Sequence, residues 1–113
     1  VLVKISGENF YKMAQKIADR GGDGISGMKL GIKDKAVTSL LVSEKNFDAN
    51  KSYWIVTNDY VASGGDNMDM FTSPESFVSS GITIRNLIID YLGKKSKAGQ
   101  HISAVKDGRI FYE

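Results

Sequence analysis

The first 22 residues predict a strand followed directly by a helix, and this unit constrains the fold more than any other part of the chain. Residues 1–5 are apolar apart from Lys4, which is typical of a strand with one buried face. Ser6 is a good helix N-cap, and Gly21 with Gly22 ends the helix because glycine accepts the left-handed cap conformation. Between these caps one helical face is apolar: Phe10, Met13, Ala14, Ile17 and Ala18.

Three further strands are predicted in the middle of the chain. Apolar residues alternate with polar ones over residues 28–33, and residues 37–43 form a second strand after a turn at 34–36. Residues 53–58 begin with an apolar run that lacks alternation, which predicts a central strand covered on both faces. The order of hairpins places these three strands side by side.

The second half of the chain predicts one more helix. Residues 68–80 lack a clear period and contain the only proline, which indicates a loop or short turns. Thr83 caps a second helix that Gly93 ends, and the basic Lys94, Lys95 and Lys97 suit its negative end. Its predicted apolar face consists of Ile84, Leu87, Ile88, Tyr91 and Leu92.

Two short strands, 101–105 and 109–112, complete the predicted fold. They are joined by a turn at 106–108 that contains the hairpin-forming pair Asp107-Gly108. The predicted class is α+β, a mixed or antiparallel sheet with two main helices. The length of 113 residues predicts a single domain over residues 1–113.

Composition excludes several classes of function. The net charge of +2 predicts no nucleic-acid partner, and no apolar run approaches the roughly 20 residues of a membrane span. The absence of cysteine excludes disulfides and thiolate chemistry. Because the chain opens within a predicted strand and shows no signal peptide, we expect it to be a processed chain or a piece of something longer.

Few residues are suited to catalysis or to metal binding. The only histidine, His101, lies in a predicted strand, where a structural role is expected. Asp66, Asn67 and Asp69 with Asp59 upstream suggest a calcium loop, although their spacing does not match an EF-hand. We therefore predict no catalytic residue and no metal or other cofactor in this chain.

Residues 53–66 carry the strongest prediction of a binding site. Their sequence is Tyr-Trp-Ile-Val-Thr-Asn-Asp-Tyr-Val-Ala-Ser-Gly-Gly-Asp. Gly64 and Gly65 let a ligand approach the backbone, and the carboxylate of Asp66 can accept hydrogen bonds from two vicinal hydroxyls, as in a ribose. Tyr60 can offer its face to a planar base. The alternative interpretation is a structural glycine-rich turn beside a core tyrosine.

This segment resembles the hallmark of the 5'-nucleotidase C-terminal domain family, which is a strand, then Asn, a variable residue, an aromatic and Gly-Gly-Asp. Four other segments resemble family landmarks in the same order: residues 3–10, 25–28, 48–53 and 107–110. In that family the domain binds the nucleoside of the substrate between two aromatics. The resemblance implies that Tyr60 is the second stacking aromatic and Asp66 the ribose ligand, with Asn58, Gly64 and Gly65 completing the motif.

The resemblance also implies a partner. Phosphoester hydrolysis and its divalent metals belong to a metallophosphatase domain or chain, toward which a hinge motion carries the substrate. The implied function is recognition of a nucleoside or nucleotide within a 5'-nucleotidase-like hydrolase of nucleotide catabolism, located in the periplasm or outside the cell.

Three departures from the family pattern limit this interpretation. No aromatic occurs in residues 21–25, where the family's other stacking ring precedes its Ser-Gly step. Asn67 and Met68 follow Asp66, where the family has glycine and an aromatic. The family's preceding Asn-Gly-Gly-Ile-Arg-type segment does not occur, so we expect the domain to be incomplete at its N-terminal side. The alternatives are a non-catalytic binding or assembly domain that lost the nucleotide site, and a calcium-binding adhesion module.

Overall fold

The computed structural model of the chain describes residues 1–79, 81–97, 99 and 107–112. These residues form three α-helices, α1 Gly7–Asp19, α2 Asp59–Ala62 and α3 Ile84–Lys97. They also form seven strands: β1 Leu2–Ser6, β2 Met28–Lys33, β3 Ala36–Val42, β4 Lys45–Asn46, β5 Ser52–Val56, β6 Ser76–Val78 and β7 Ile110–Tyr112. The predicted α+β class with two main helices is confirmed. The predicted strand 101–105, with its hairpin, lies outside the described residues.

The predicted unit of β1 and α1 is confirmed in detail. The Ser6 hydroxyl accepts a hydrogen bond from the Asn9 amide at 3.2 Å, as an N-cap does. At the other end the Gly21 amide donates to the Ala18 carbonyl and the Gly22 amide to the Ile17 carbonyl. This pair of bonds is a Schellman motif, which Gly21 permits by adopting a φ of 79°.

The strands form two sheets, and this separation corrects the predicted neighbours of the 53–58 strand. The first sheet has the order β5-β1-β6 and is antiparallel, while the second has the order β4-β3-β2-β7. The hairpin of β2 and β3 is confirmed, and β7 pairs with β2 in parallel. However, β5 pairs with β1 and not with β2 or β3.

The prediction of a central strand at 53–58 is therefore wrong, because β5 lies at the edge of its sheet among the described strands. The apolar run arises from two different environments. Tyr53 and Ile55 are half-buried against the core, whereas Trp54 and Val56 are exposed on the other face. A run of apolar residues cannot distinguish burial on both faces from one buried and one exposed apolar face.

The core lies where α1 packs against both sheets. All five residues predicted on the apolar face of α1 are buried, together with Val3 and Ile5 of β1 and with Leu30 and Ile32 of β2. Two 3₁₀ turns, Gly65–Asn67 and Asp69–Phe71, follow α2, and the second contributes Met70 and Phe71 to the core. The core therefore fixes the turn region that follows residues 53–66.

Two predictions for residues 68–97 are wrong in part. The segment expected to be only loop contains β6, which pairs with β1. The helix capped by Thr83 does not end at Gly93 but continues to Lys97, and its Leu87, Ile88, Tyr91 and Leu92 are exposed rather than packed. Among the described residues, no helix combines the length and the apolar character needed to cross a membrane.

Candidate functional site

The predicted site begins where β5 ends and α2 starts. The Asn58 side chain accepts a hydrogen bond from the Val61 amide at 2.7 Å, and Asn58 is thereby the N-cap of α2. The Asp59 carboxylate accepts one from the Tyr60 amide at 2.9 Å. An N-cap residue determines where a helix begins. Asn58 therefore sets the start of α2, and with it the point at which the Tyr60 side chain leaves the backbone.

Tyr60 lies on the surface with its ring against Gly65. The residue is 62% exposed, so Tyr60 is not the core tyrosine that the alternative interpretation of a structural turn expected. A Cβ built on Gly65 would lie 2.5 Å from Cε1 of Tyr60 and 2.6 Å from Cδ1 and Cζ, which no real Cβ could do without displacing the ring. Gly65 thus provides space for the Tyr60 ring, rather than for a ligand approaching that point of the backbone.

The turn after Tyr60 has unusual backbone geometry. Gly64 has a φ of 96°, and Asp66 and Asn67 have φ values of 56° and 60° in the left-handed region. Asp and Asn tolerate this region better than most residues, yet such conformations still cost of order 1 kcal/mol each. The surrounding structure holds them, since Met70 and Phe71 anchor the following turn in the core.

Asp66 lines a cleft with a volume of about 930 Å³, within the range of small-molecule sites. Asn58 lines it as well, but Tyr60, Gly64 and Gly65 do not. Three parts of the chain form the cleft: α1, the loop with the strand ends beside it, and the segment from β5 onward. Its lining is Phe10, Met13, Ile17, Arg20, Asp23, Gly24, Ile25, Ser26, Gly27, Met28, Val42, Ser43, Trp54, Ile55, Val56, Thr57, Asn58, Val61, Asp66, Met68 and Phe71.

Among the described strands β5 has no neighbour on the side away from β1, and its Trp54 and Val56 line the cleft. Val1 and Thr57 exchange two hydrogen bonds, from the Thr57 amide to the Val1 carbonyl and from the Val1 amine to the Thr57 carbonyl. In an antiparallel pair such bonded residues alternate with unbonded ones, so Trp54 and Val56 direct their N–H and C=O groups away from β1. Sequence reasoning missed these groups because it placed the strand in the interior of a sheet.

The loop at residues 21–27 contributes to the same cleft as Asp66 through Asp23, Gly24, Ile25, Ser26 and Gly27. It holds no aromatic residue. Trp54 also lines the cleft, and its indole shares one face of the sheet with Lys4, its partner across the strand pair. At the edge of the cleft Arg20 and Asp23 form a partly exposed ion pair with 3.6 Å between Nη1 and Oδ2.

Acidic residues near the turn do not converge. In the described ranges no group of three Asp, Glu or His side chains could hold a metal ion, although Asp59, Asp66 and Asp69 are all included. The carboxylate of Asp66 has no hydrogen-bond or ion-pair partner within that part of the chain. His101 lies outside the described residues.

Comparison with known proteins identifies one family. The family described as 5'-nucleotidase, C-terminal domain matches residues 3–73, which is more than half of the chain. This range includes β1 apart from its first residue, β2 to β5, α1, α2 and both 3₁₀ turns, and it ends before β6. No curated protein matches the chain.

Proposed function

The chain belongs to the 5'-nucleotidase C-terminal domain family, and we propose that it is the nucleoside-recognition part of a 5'-nucleotidase-like hydrolase in nucleotide catabolism. Tyr60 stacks on the base and Asp66 accepts hydrogen bonds from the ribose hydroxyls. Asn58 positions Tyr60 by capping α2. Gly64 and Gly65 permit the turn that brings Asp66 next to the ring.

One observation carries this proposal: an exposed aromatic ring packs on Gly65, and the next residue, Asp66, lines a cleft and has a carboxylate without a partner among the described residues. One face of the Tyr60 ring is occupied by the Gly65 backbone, so a base stacks on the other. The left-handed backbone of Asp66 supports the same proposal, since strained conformations cluster at binding sites.

Binding by this chain is weak. A stacked base contributes about 1–3 kcal/mol, and hydrogen bonds to a charged group contribute about 1.5–3 kcal/mol each. Association costs at least about 4 kcal/mol, which leaves a small surplus and a Kd of about 1 mM or weaker. We assign the phosphoester chemistry and its divalent metals to a metallophosphatase domain or chain, and the location to the periplasm or the cell exterior. This chain by itself hydrolyses no adenosine monophosphate.

The test is a titration of the chain with adenosine, followed by the amide NMR signals of α2 and the turn after it. We expect saturable shifts that Tyr60→Ala and Asp66→Asn weaken. Tyr91→Ala and Asp90→Asn, which change an exposed tyrosine and an exposed aspartate of α3, are matched controls and leave the affinity unchanged.

A second ligand tests the role of Asp66 directly. If Asp66 holds the ribose, 2',3'-dideoxyadenosine binds the unmodified chain as weakly as adenosine binds Asp66→Asn, and the variant no longer distinguishes the two ligands. Equal loss of affinity for both ligands on substitution of Asp66 would contradict the assignment. Turnover of adenosine monophosphate by the pure chain with added divalent metal would contradict the assignment of the phosphoester chemistry to a separate metallophosphatase domain or chain.

A non-catalytic assembly domain is the second candidate, favoured by the absence of an aromatic at residues 21–25 and by the exposed apolar residues of α3. No saturable shift at millimolar adenosine would favour it. Calorimetry with calcium tests the alternative of a calcium-binding adhesion module. That alternative requires a heat of calcium binding that the unmodified chain shows and Asp66→Asn does not.

A further inference from the structure

We propose that Arg109 and Tyr112 are positioning residues of the cleft, because they hold the loop at residues 21–27 as one of its walls. The effect on ligand affinity rests on the proposed function, whereas the effect on the loop does not. These residues lie outside the range that the family match covers.

The loop depends on contacts from outside itself. Four of its seven residues are glycine, so an ordered conformation costs more entropy here than in most segments. Two of its carbonyls accept hydrogen bonds from distant side chains in the described part of the molecule. The Tyr112 hydroxyl donates to the Gly21 carbonyl at 2.6 Å, and Nη1 of Arg109 donates to the Ile25 carbonyl at 2.9 Å.

The strand that carries these side chains lies close to the loop and to β2. The Leu30 amide donates to the Arg109 carbonyl, and β7 then continues in parallel with β2. A Cβ built on Gly22 would lie 2.9 Å from the Tyr112 hydroxyl oxygen. Gly22 therefore provides the space in which the hydroxyl reaches the loop backbone.

The guanidinium of Arg109 is itself held in place. Its Nε donates to Oδ2 of Asp107 at 2.7 Å, and the Arg109 amide donates to Oδ1 at 3.3 Å. These contacts leave Nη1 directed at Ile25. The hydrogen bond from Arg109 lowers the pKa of Asp107, so the carboxylate that orients the guanidinium stays ionised to a lower pH than an ordinary aspartate.

A three-residue strand is a small unit that opens more easily than the core. When β7 and the preceding Arg109 detach, the loop loses both side-chain anchors, and the cleft wall at Ile25 and Ser26 loses its fixed position, while the Gly27 carbonyl keeps its hydrogen bond from the Ser43 amide. A ligand that contacts this wall must then order it, so binding of the ligand and docking of β7 favour each other.

An arginine-specific protease tests the proposal, because Arg20 directly precedes the loop. Cleavage after Arg109 would itself release β7, so only the initial rates of chains that are still intact at Arg109 are compared. We expect Tyr112→Phe and Arg109→Ala each to accelerate cleavage after Arg20 about fivefold, the change in an equilibrium constant that one lost hydrogen bond produces. Cleavage after Arg85, in α3, is the internal control and does not change. Tyr91→Phe is the matched control variant, and ¹⁵N relaxation provides a second measurement, in which increased motion is confined to residues 21–27.

Two results would overturn the proposal. One is an unchanged rate of cleavage after Arg20 in both variants, and the other is equal acceleration after Arg20 and Arg85, which indicates general destabilisation. A separate experiment uses adenosine. We expect Tyr112→Phe and Arg109→Ala to bind adenosine about fivefold more weakly than the unmodified chain, and saturating adenosine to slow their cleavage after Arg20 again. If the unmodified chain binds no adenosine, the proposed function fails, while the protease and relaxation measurements still decide the role of Arg109 and Tyr112.

Discussion

Substitution of Gly65 by alanine tests whether the backbone under the Tyr60 ring determines its position. The new Cβ would lie 2.5–2.6 Å from three ring atoms, so the ring must move away. Tyr60 is largely exposed, and Gly65 does not have the positive φ that would strain an alanine. We therefore expect the free energy of unfolding to change by less than about 1 kcal/mol.

The expected effect on nucleoside binding is larger. If the displaced ring no longer stacks on the base, the loss of about 1–3 kcal/mol corresponds to a Kd for adenosine about 5- to 150-fold weaker. Amide NMR titration measures the affinity, and chemical denaturation measures the stability. Gly93→Ala is the matched control, because a Cβ at Gly93 meets nothing within 4 Å and lies in α3.

A double-mutant cycle gives the decisive comparison. If Gly65 acts only through the ring, Gly65→Ala weakens binding in the presence of Tyr60 but causes no further loss in the Tyr60→Ala background. Independent, additive losses would refute the reasoning. The reasoning would also fail if Gly65→Ala bound adenosine as tightly as the unmodified chain while Tyr60→Ala bound it more weakly.

Three further predictions concern the scaffold around the site. Ser6→Ala removes the hydrogen bond to the Asn9 amide and should lower the free energy of unfolding by about 1 kcal/mol in urea denaturation; an unchanged value would refute the capping role. Phe10→Ala should cost about 3–5 kcal/mol in the same assay, because Phe10 is 3% exposed and packs on Tyr53 with ring centroids 4.8 Å apart; a loss below about 1 kcal/mol would contradict this packing. Because the pKa of Asp107 is lowered in the folded chain, its support for β7 is complete above its ordinary value of 3.8 and is lost as the pH falls through the lowered value. An acid titration by ¹⁵N relaxation should show the loop at residues 21–27 loosening in that window, and the same transition in Asp107→Asn would exclude this carboxylate as its cause.

Local patterns predicted the first helix well because its determinants lie within the helix itself. Ser6, the apolar face and Gly21 each act on neighbours within a few residues, so the sequence contains the whole argument for that element. The helix at α3 shows the limit of the same reasoning. Gly93 carries a propensity cost of only about 1 kcal/mol, and in this chain it lies inside the helix rather than ending it.

The sequence singled out the candidate site residues, whose role stays a prediction, but it could not supply their arrangement. The motif from Asn58 to Asp66 is contiguous, and the sequence alone supported both its family and its candidate ligands. The sequence could not reveal that the space at Gly65 is filled by Tyr60, or that Asp66 lines the cleft while Tyr60 does not. Both facts depend on where the chain goes after α2, which the burial of Met70 and Phe71 determines.

Local patterns were enough to predict the α+β class, the capped first helix and the segment that carries the family hallmark, because caps, periodicity and motifs are local properties. The hairpin of β2 and β3 also followed from the sequence, whereas the partner of β5 came from the fold alone. The apolar run in β5 fits an interior strand or an edge strand equally well, and its pairing with β1 turns the main-chain groups of Trp54 and Val56 away from β1. Tertiary structure also brought Arg109 and Tyr112 to a loop more than 80 residues earlier, a contact that no pattern of adjacent residues encodes.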